Sequence, residues 1–348
     1  MNHWYSFRGR KYSFQISRRT LWVITLLAIV NVIVAILCVG LGSQYIRPDN
    51  VVRSMLGIGD SVDSMIIFSL RMPRILIAIL VGAALAVSGA ILQGVVRNPL
   101  TSPDMIGITG GASLGTVVFI IYFSEVSIRY MPLSSIAGAF GAALLIYILA
   151  YRGGVTPLRL VLIGIGMATA LTAVTYMLIL TASFTPTAVA VKAFTFMTGS
   201  IYGVSWDRDV TTLLPWILVL LPVALFYARH LNVQELGDDI AESVGSSVMR
   251  KRTILLMMSV ALAGAAVSIG GAINFIGLMA PHIARKLVGP AFGGVIPVSA
   301  LIGSLILLLS DLVARTTFLP LDIPAGVFTA AIGAPFFIYL LYQSRKAA

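Results

Sequence analysis

Residues 71–111, RMPRILIAILVGAALAVSGAILQGVVRNPLTSPDMIGITGG, decide the fold. Two arginines, Arg71 and Arg74, bracket a proline. A run of small and apolar residues follows that is about one bilayer thickness long and stops at Asn98-Pro99. After a short polar loop, Thr101 to Asp104, a second apolar run opens on glycines. The pattern predicts a re-entrant hairpin of two helices whose ends carry the chemistry.

The rest of the chain extends that reading. Hydrophobic residues make up 58% and charged residues 11% of 348 positions, and the mean hydropathy is +0.98. A soluble domain does not carry such a composition, so the bilayer is the solvent. In hydrocarbon an unsatisfied backbone group is costly, which leaves helices or closed barrels. The period-2 alternation of a barrel is missing, so the expected fold is all-α and polytopic. Cys38 is the single cysteine and excludes a disulfide framework or a Cys-ligated metal site.

Apolar runs fall at about 20–42, 72–96, 104–123, 132–151, 158–181, 210–228, 253–272, 275–288, 293–314 and 323–342, ten spans with the eighth short. Segment 188–203 is too short to cross and reads as a surface helix and turn. With the N-terminus inside, sixteen of the 24 Lys and Arg fall on cytoplasmic segments and eight outside. That bias favours two cytoplasmic termini. The domain plan is a basic N-terminal arm (1–19), a transmembrane domain (20–343) with a cytoplasmic loop at 229–252, and a tail at 344–348. The net charge of +11 therefore reports orientation and lipid contact, with no nucleic-acid partner implied.

The segment AVSGAI at 86–91 recurs with insertions as AVSIGGAI at 266–273, on runs of opposite direction. Mirrored halves of this kind are a transporter habit. X-Pro pairs at Asn98-Pro99, Ala280-Pro281, Leu319-Pro320, Ile323-Pro324 and Ala334-Pro335 mark helix stops, kinks or cavity linings. Gln93 and Asp311 are the main polar residues within spans, and Asp311 stands four before Arg315, where the two can pair along a helix. The spans offer no carboxylate pattern for proton or sodium coupling.

Within 229–252, Gly237 and Ala241 stand four apart on a short helix, a smooth stripe for another protein's groove. Gly245 then makes a turn. Two enzyme readings are weak. Gly57-Ile58-Gly59-Asp60 lacks the second intramembrane aspartate that a protease needs to share a proton. Ser113 with His282 could imitate the dyad of an intramembrane serine protease. No Walker A string occurs, so ATP hydrolysis must belong to another chain.

These residues carry a resemblance. Arg71-Met72-Pro73-Arg74, the run to Gln93, Asn98-Pro99-Leu100, Leu236-Gly237-Asp238 with Ala241 and Gly245, Phe275 to Arg285, Asp311 with Arg315, and 323–337 keep order and spacing from about residue 20 to 343. The chain resembles the permease subunits of iron–siderophore and cobalamin ABC importers. Asp238 and Asp322 replace the family's usual glutamates, Asn274 a glycine, and Phe196 stands near a usual tryptophan.

The resemblance implies two permease subunits, two cytosolic ABC ATPases that bind ATP and Mg, and an extracytoplasmic siderophore-binding protein. It implies a place in the cell membrane and no cofactor or metal on this chain. By position, Arg71, Arg74 and Arg315 would meet acidic groups of the binding protein. Leu236, Gly237, Asp238, Ala241 and Gly245 would couple to the ATPase, and Asn98, Leu100, Thr156 and Pro157 would form the inner gate. The implied cargo is a ferric siderophore, with cobalamin or haem as the alternative.

Overall fold

The computed structural model of the protein describes residues 4–8, 13–42, 44–123, 125–150, 157–181, 187–318 and 321–347. Strands β1 (Trp4–Arg8) and β2 (Ser13–Ser17) pair antiparallel, with Phe7 opposite Phe14. The arm thus adds a small hairpin, the only strands among the described residues. Helix α1 (Arg18–Gly40) begins directly after it, and its first turn is capped by Ser17, whose Oγ accepts from the Thr20 amide.

The remaining helices are α2 (Pro48–Met55), α3 (Ser61–Met65), α4 (Met72–Val96), α5 (Ile108–Tyr122), α6 (Met131–Ala150), α7 (Pro157–Thr181), α8 (Thr187–Met197), α9 (Thr211–Glu235), α10 (Asp238–Ser243), α11 (Val248–Gly270), α12 (Ile276–Val288), α13 (Phe292–Thr317) and α14 (Ala325–Ala347). Each expected span is present as a helix. Eight helical segments are long and apolar enough to cross a membrane; α5 and α12, with 15 and 13 residues, are shorter. The segment 344–348, expected as a tail, is helical through Ala347 as the end of α14.

Helix α4 is the axis of the bundle. Its apolar stretch is 89% buried and that of α11 83%, against 22% for α1 and α9. It packs on α13, α11, α12 and α9. Close approach explains its run of small residues: a methyl group on Gly82 would overlap the Gly303 carbonyl of α13, and one on Gly89 would overlap the Gly277 carbonyl of α12. Between α4 and α11, Ser88 Oγ donates to the Ser259 carbonyl at 2.8 Å. The two echoed segments therefore lie on the two most buried helices, which run antiparallel.

The first arm of the hairpin is a full-length span, as its length predicts: the 25 residues of α4 rise about 1.5 Å each. The returning loop is the re-entrant part. Thr101 and Ser102 are 3% and 0% exposed, and a methyl group on Gly277 would touch Pro103, halfway along α4. The loop descends into the bundle, so α5 starts inside it and needs fewer turns. Pro281 and Pro335 also lie inside α12 and α14 without ending them, and Leu319-Pro320 falls outside the described residues.

Candidate functional site: the two ends of the central helix

At the Met72 end of α4, Arg71, Arg74, Arg315 and Asp322 line one pocket of about 470 Å³ with Tyr202 and Gln44. Arg74 donates from Nε to Asp311 Oδ1 at 2.8 Å, and from Nη1 and Nη2 to Asp322 at 2.6 and 2.9 Å. Arg315 reaches Asp311 Oδ2 at 3.6 Å, the pairing along α13 that the spacing predicts. One guanidinium is thus shared by two carboxylates, and the triad ties α4 to α13 and to the segment before α14. Its Asp311 side chain is 2% exposed.

The three arginines come together, but two of them face inward. Arg71 Nη1 donates to the Val39 and Gly40 carbonyls at 2.5 and 3.0 Å, and its Nη2 to the Gln44 carbonyl. Arg315 Nη2 donates to the Cys38 carbonyl at 2.7 Å. The end of α1 leaves carbonyls without helical partners, and a cation there also complements the helix dipole. Arg71 and Arg315 are 5% and 6% exposed, so they act first as caps of α1.

Midway, Gln93 mends a proline gap. Pro281 has no N–H for the carbonyl four residues back, and Gln93 Nε2 donates to that Gly277 oxygen at 3.3 Å. Its Oε1 accepts from Arg285. The Ser113–His282 dyad does not form. Ser113 Oγ and His282 Nε2 are both buried without a hydrogen-bond partner, and the imidazole lies edge-on against Phe336.

At the Val96 end the charge pattern is reversed. Arg97 caps α4 in the left-handed region, with φ 56°. Its Nη2 donates to Asp238 Oδ1 at 2.5 Å, and Arg252 Nη2 donates to the same oxygen at 2.8 Å. One carboxylate is shared by two guanidiniums. Asn98 follows Arg97, and its Oδ1 accepts from the Leu100 amide at 2.9 Å. Leu100 packs against Leu278, Met279 and Leu340. Thr156 lies outside the described residues, and Pro157 opens α7.

The short helix α10 is placed differently from its expected pose. Ala241 is 0% exposed, buried where α10 meets α9 and α11, and the Asp238 carboxylate turns inward. The exposed apolar side chains are instead Leu236 at the end of α9, Ile240 on α10 and Val244 just after it, at 63%, 49% and 66% exposure. Gly237 permits the entry to α10 at φ 113°, and Gly245 the exit at φ 78°. The Arg97–Asp238 pair had no sequence signal, since 141 positions separate the partners.

Residues 27–343 match the FecCD transport family. The chain is 46% identical over 333 residues to the "Probable siderophore transport system permease protein YfhA" of Bacillus subtilis (strain 168), covering 94% of this chain and 96% of that protein. It is 42% identical over 347 residues to the "Achromobactin transport system permease protein CbrC" of Dickeya dadantii (strain 3937), covering 99% and 98%. A metal-chelate type ABC transporter solved in an inward-facing conformation superposes with a TM-score of 0.83 at 29% identity, covering 93% of this chain and 99% of that one.

Proposed function

Because this chain belongs to the FecCD transport family, we propose that it is the permease subunit of an ABC importer that carries ferric siderophore complexes into the cell. The observation that carries the reading is the near full-length likeness to relatives named as siderophore and achromobactin permeases. Two copies, or this chain with a related permease, enclose the path. Two cytosolic ATPases bind ATP and Mg and supply the work, and an extracytoplasmic binding protein delivers the cargo. A chelate's own groups already hold the iron, so a charge-poor path suits it.

The Met72 end of α4 faces outward in this reading and the Val96 end faces the cytoplasm, which puts both chain termini inside. In support, Arg71, Arg74 and Arg315 line the outer pocket with Asp322 as its one carboxylate, an excess of positive charge that suits an acidic partner and steers its approach. At the inner end, Leu236, Ile240 and Val244 form an apolar stripe within a hydrophilic loop, where lipid cannot cover it. The ATPase groove covers it. Asn98 and Leu100, with Thr156 and Pro157, gate the path.

The test is uptake into proteoliposomes holding the permease, ATPase and binding protein. Import of a ferric siderophore that requires all three and ATP is expected. Uptake of cobalamin or haem in its place would overturn the cargo, and peptide cleavage lost in Ser113→Ala would overturn the class. The double variant Leu236→Asp/Ile240→Asp should release the ATPase on purification; full retention would remove the docking stripe.

A further inference from the structure

The Val96 side of the bundle has two corners of different charge. One holds the loop 229–252, where Glu235, Asp238, Asp239 and Glu242 offset Arg229, Arg250, Lys251 and Arg252. The other is built from the start of α1 and the ends of α12 and α14. Residues 1–46, 276–310 and 323–348, which supply those elements, contain no Asp or Glu. Five Lys and Arg fall within residues 1–19, and Lys286, Arg345 and Lys346 stand near the ends of α12 and α14. Orientation alone calls for an excess of cations inside. It does not call for the acids to gather in one corner.

The three elements meet. Arg19 Nη2 donates to the Lys286 carbonyl at 3.4 Å, and Lys286 Nζ lies 5.7 Å from the centre of the Tyr339 ring. Arg18, Arg19 and Lys286 are exposed. The neighbouring Arg285 turns inward to Gln93 and feels the charge of Glu235 from α9, so that acid serves a cation outside the corner. The start of α1 adds the positive end of a 23-residue helix.

The order of side chains along α1 and α14 fixes the medium beside the corner. On α1, Trp22 follows Arg18 by one turn and is 75% exposed; on α14, Tyr339 and Tyr342, 53% and 59% exposed, precede Arg345. In each helix the aromatic lies nearer the bilayer centre and the cation nearer the water, the order that the headgroup region imposes. The apolar stretches of these helices are only 22% and 28% buried, which leaves room for acyl chains along them.

We propose that this corner binds an anionic phospholipid, its phosphate held by Arg18, Arg19 and Lys286 and its chains laid along α1 beside Trp22. Basic pockets between membrane helices take such headgroups, whereas a zwitterionic lipid offers no net charge to meet the cations. That the lipid belongs to the inner leaflet rests on the orientation proposed above; the contact itself does not.

The test is native mass spectrometry of the purified permease, stripped of lipid and titrated with phosphatidylglycerol or phosphatidylcholine. Phosphatidylglycerol should bind about tenfold more tightly or better, and each of Arg18→Gln, Arg19→Gln and Lys286→Gln should weaken it about fivefold. The triple variant should bind both lipids alike. Arg18→Lys/Arg19→Lys, which keeps the charge, should stay within about twofold of wild type, and Arg250→Gln/Lys251→Gln in the mixed corner should keep the preference. Phosphatidylglycerol should also raise the unfolding temperature of the wild type and not of the triple variant. Equal affinity of the wild type for the two lipids overturns the site, as do an unchanged preference in the triple variant and equal losses from the two corners. Loss of the ATPase from the triple variant, with lipid binding unchanged, would assign the corner to the ATPase instead. Selective lipid binding without ferric siderophore uptake would leave this site standing and remove the import reading.

Discussion

The two ends of α4 are held by opposite arrangements of the same chemistry. At one end Arg74 serves Asp311 and Asp322; at the other Asp238 serves Arg97 and Arg252. Burial separates them. The Arg74 and Asp311 side chains are 11% and 2% exposed and Asp322 is 26% exposed, whereas Arg97 and Asp238 are 29% and 40% exposed and only Arg252, at 6%, is buried. A buried pair resists opening, because removing one member strands an uncompensated charge. A pair at the surface opens at little cost, because water takes over. The first arrangement is the drier anchor and the second the wetter one.

Substitutions sharpen this contrast, and the largest effect belongs to the anchor. Asp311→Ala should lower stability by about 3–5 kcal/mol, read as thermal unfolding in detergent, and a loss under about 1 kcal/mol would remove the anchor. Gly89→Val should follow, since its side chain must displace the Gly277 backbone; overpacking costs about 1–3 kcal/mol. Gln93→Leu leaves the Gly277 carbonyl and Arg285 short of a partner and should cost about 1–3 kcal/mol. Gln93→Glu restores an acceptor for Arg285 but not the donor to Gly277, so an intermediate value is expected.

A smaller effect than that of Asp311→Ala is expected at the Val96 end. Asp238→Asn should cost about 1–2 kcal/mol, because water can solvate Arg97 while Arg252, 6% exposed, loses a carboxylate partner. Salt separates the ends further. Exposed pairs are screened over about 8–10 Å at physiological ionic strength, so raising salt should shrink the stability cost of Asp238→Asn and leave that of Asp311→Ala nearly unchanged, read as thermal unfolding in detergent; equal shrinkage at both ends would remove the contrast.

Part of this was open to reading before any coordinates. The apolar helices were legible because hydrocarbon forces long apolar runs into helices. The pairing of Asp311 with Arg315 was legible because a helix brings positions four apart together. The echoed segments at 86–91 and 266–273 were visible as well. Harder to read was which side of α10 faces outward, since α10 starts only at Asp238, after the non-helical Gly237, and spacing across Gly237 does not report a helix face. Burial of Ala241 against α9 and α11 decided it.

The sequence alone determined the class of solvent, the order of the apolar helices, and the family, because these depend on local composition and on motif order. Only the tertiary structure assigned partners. Arg71 and Arg315 cap α1, Gln93 repairs the gap at Pro281, the polar loop at Thr101 enters the bundle, and Asp238 binds Arg97. In a membrane, helix faces toward lipid and toward protein are both apolar, so hydropathy cannot tell them apart. Contacts between chain segments far apart in sequence depend on the close approach of glycines and on unsatisfied carbonyls, and those exist only once the helices have packed.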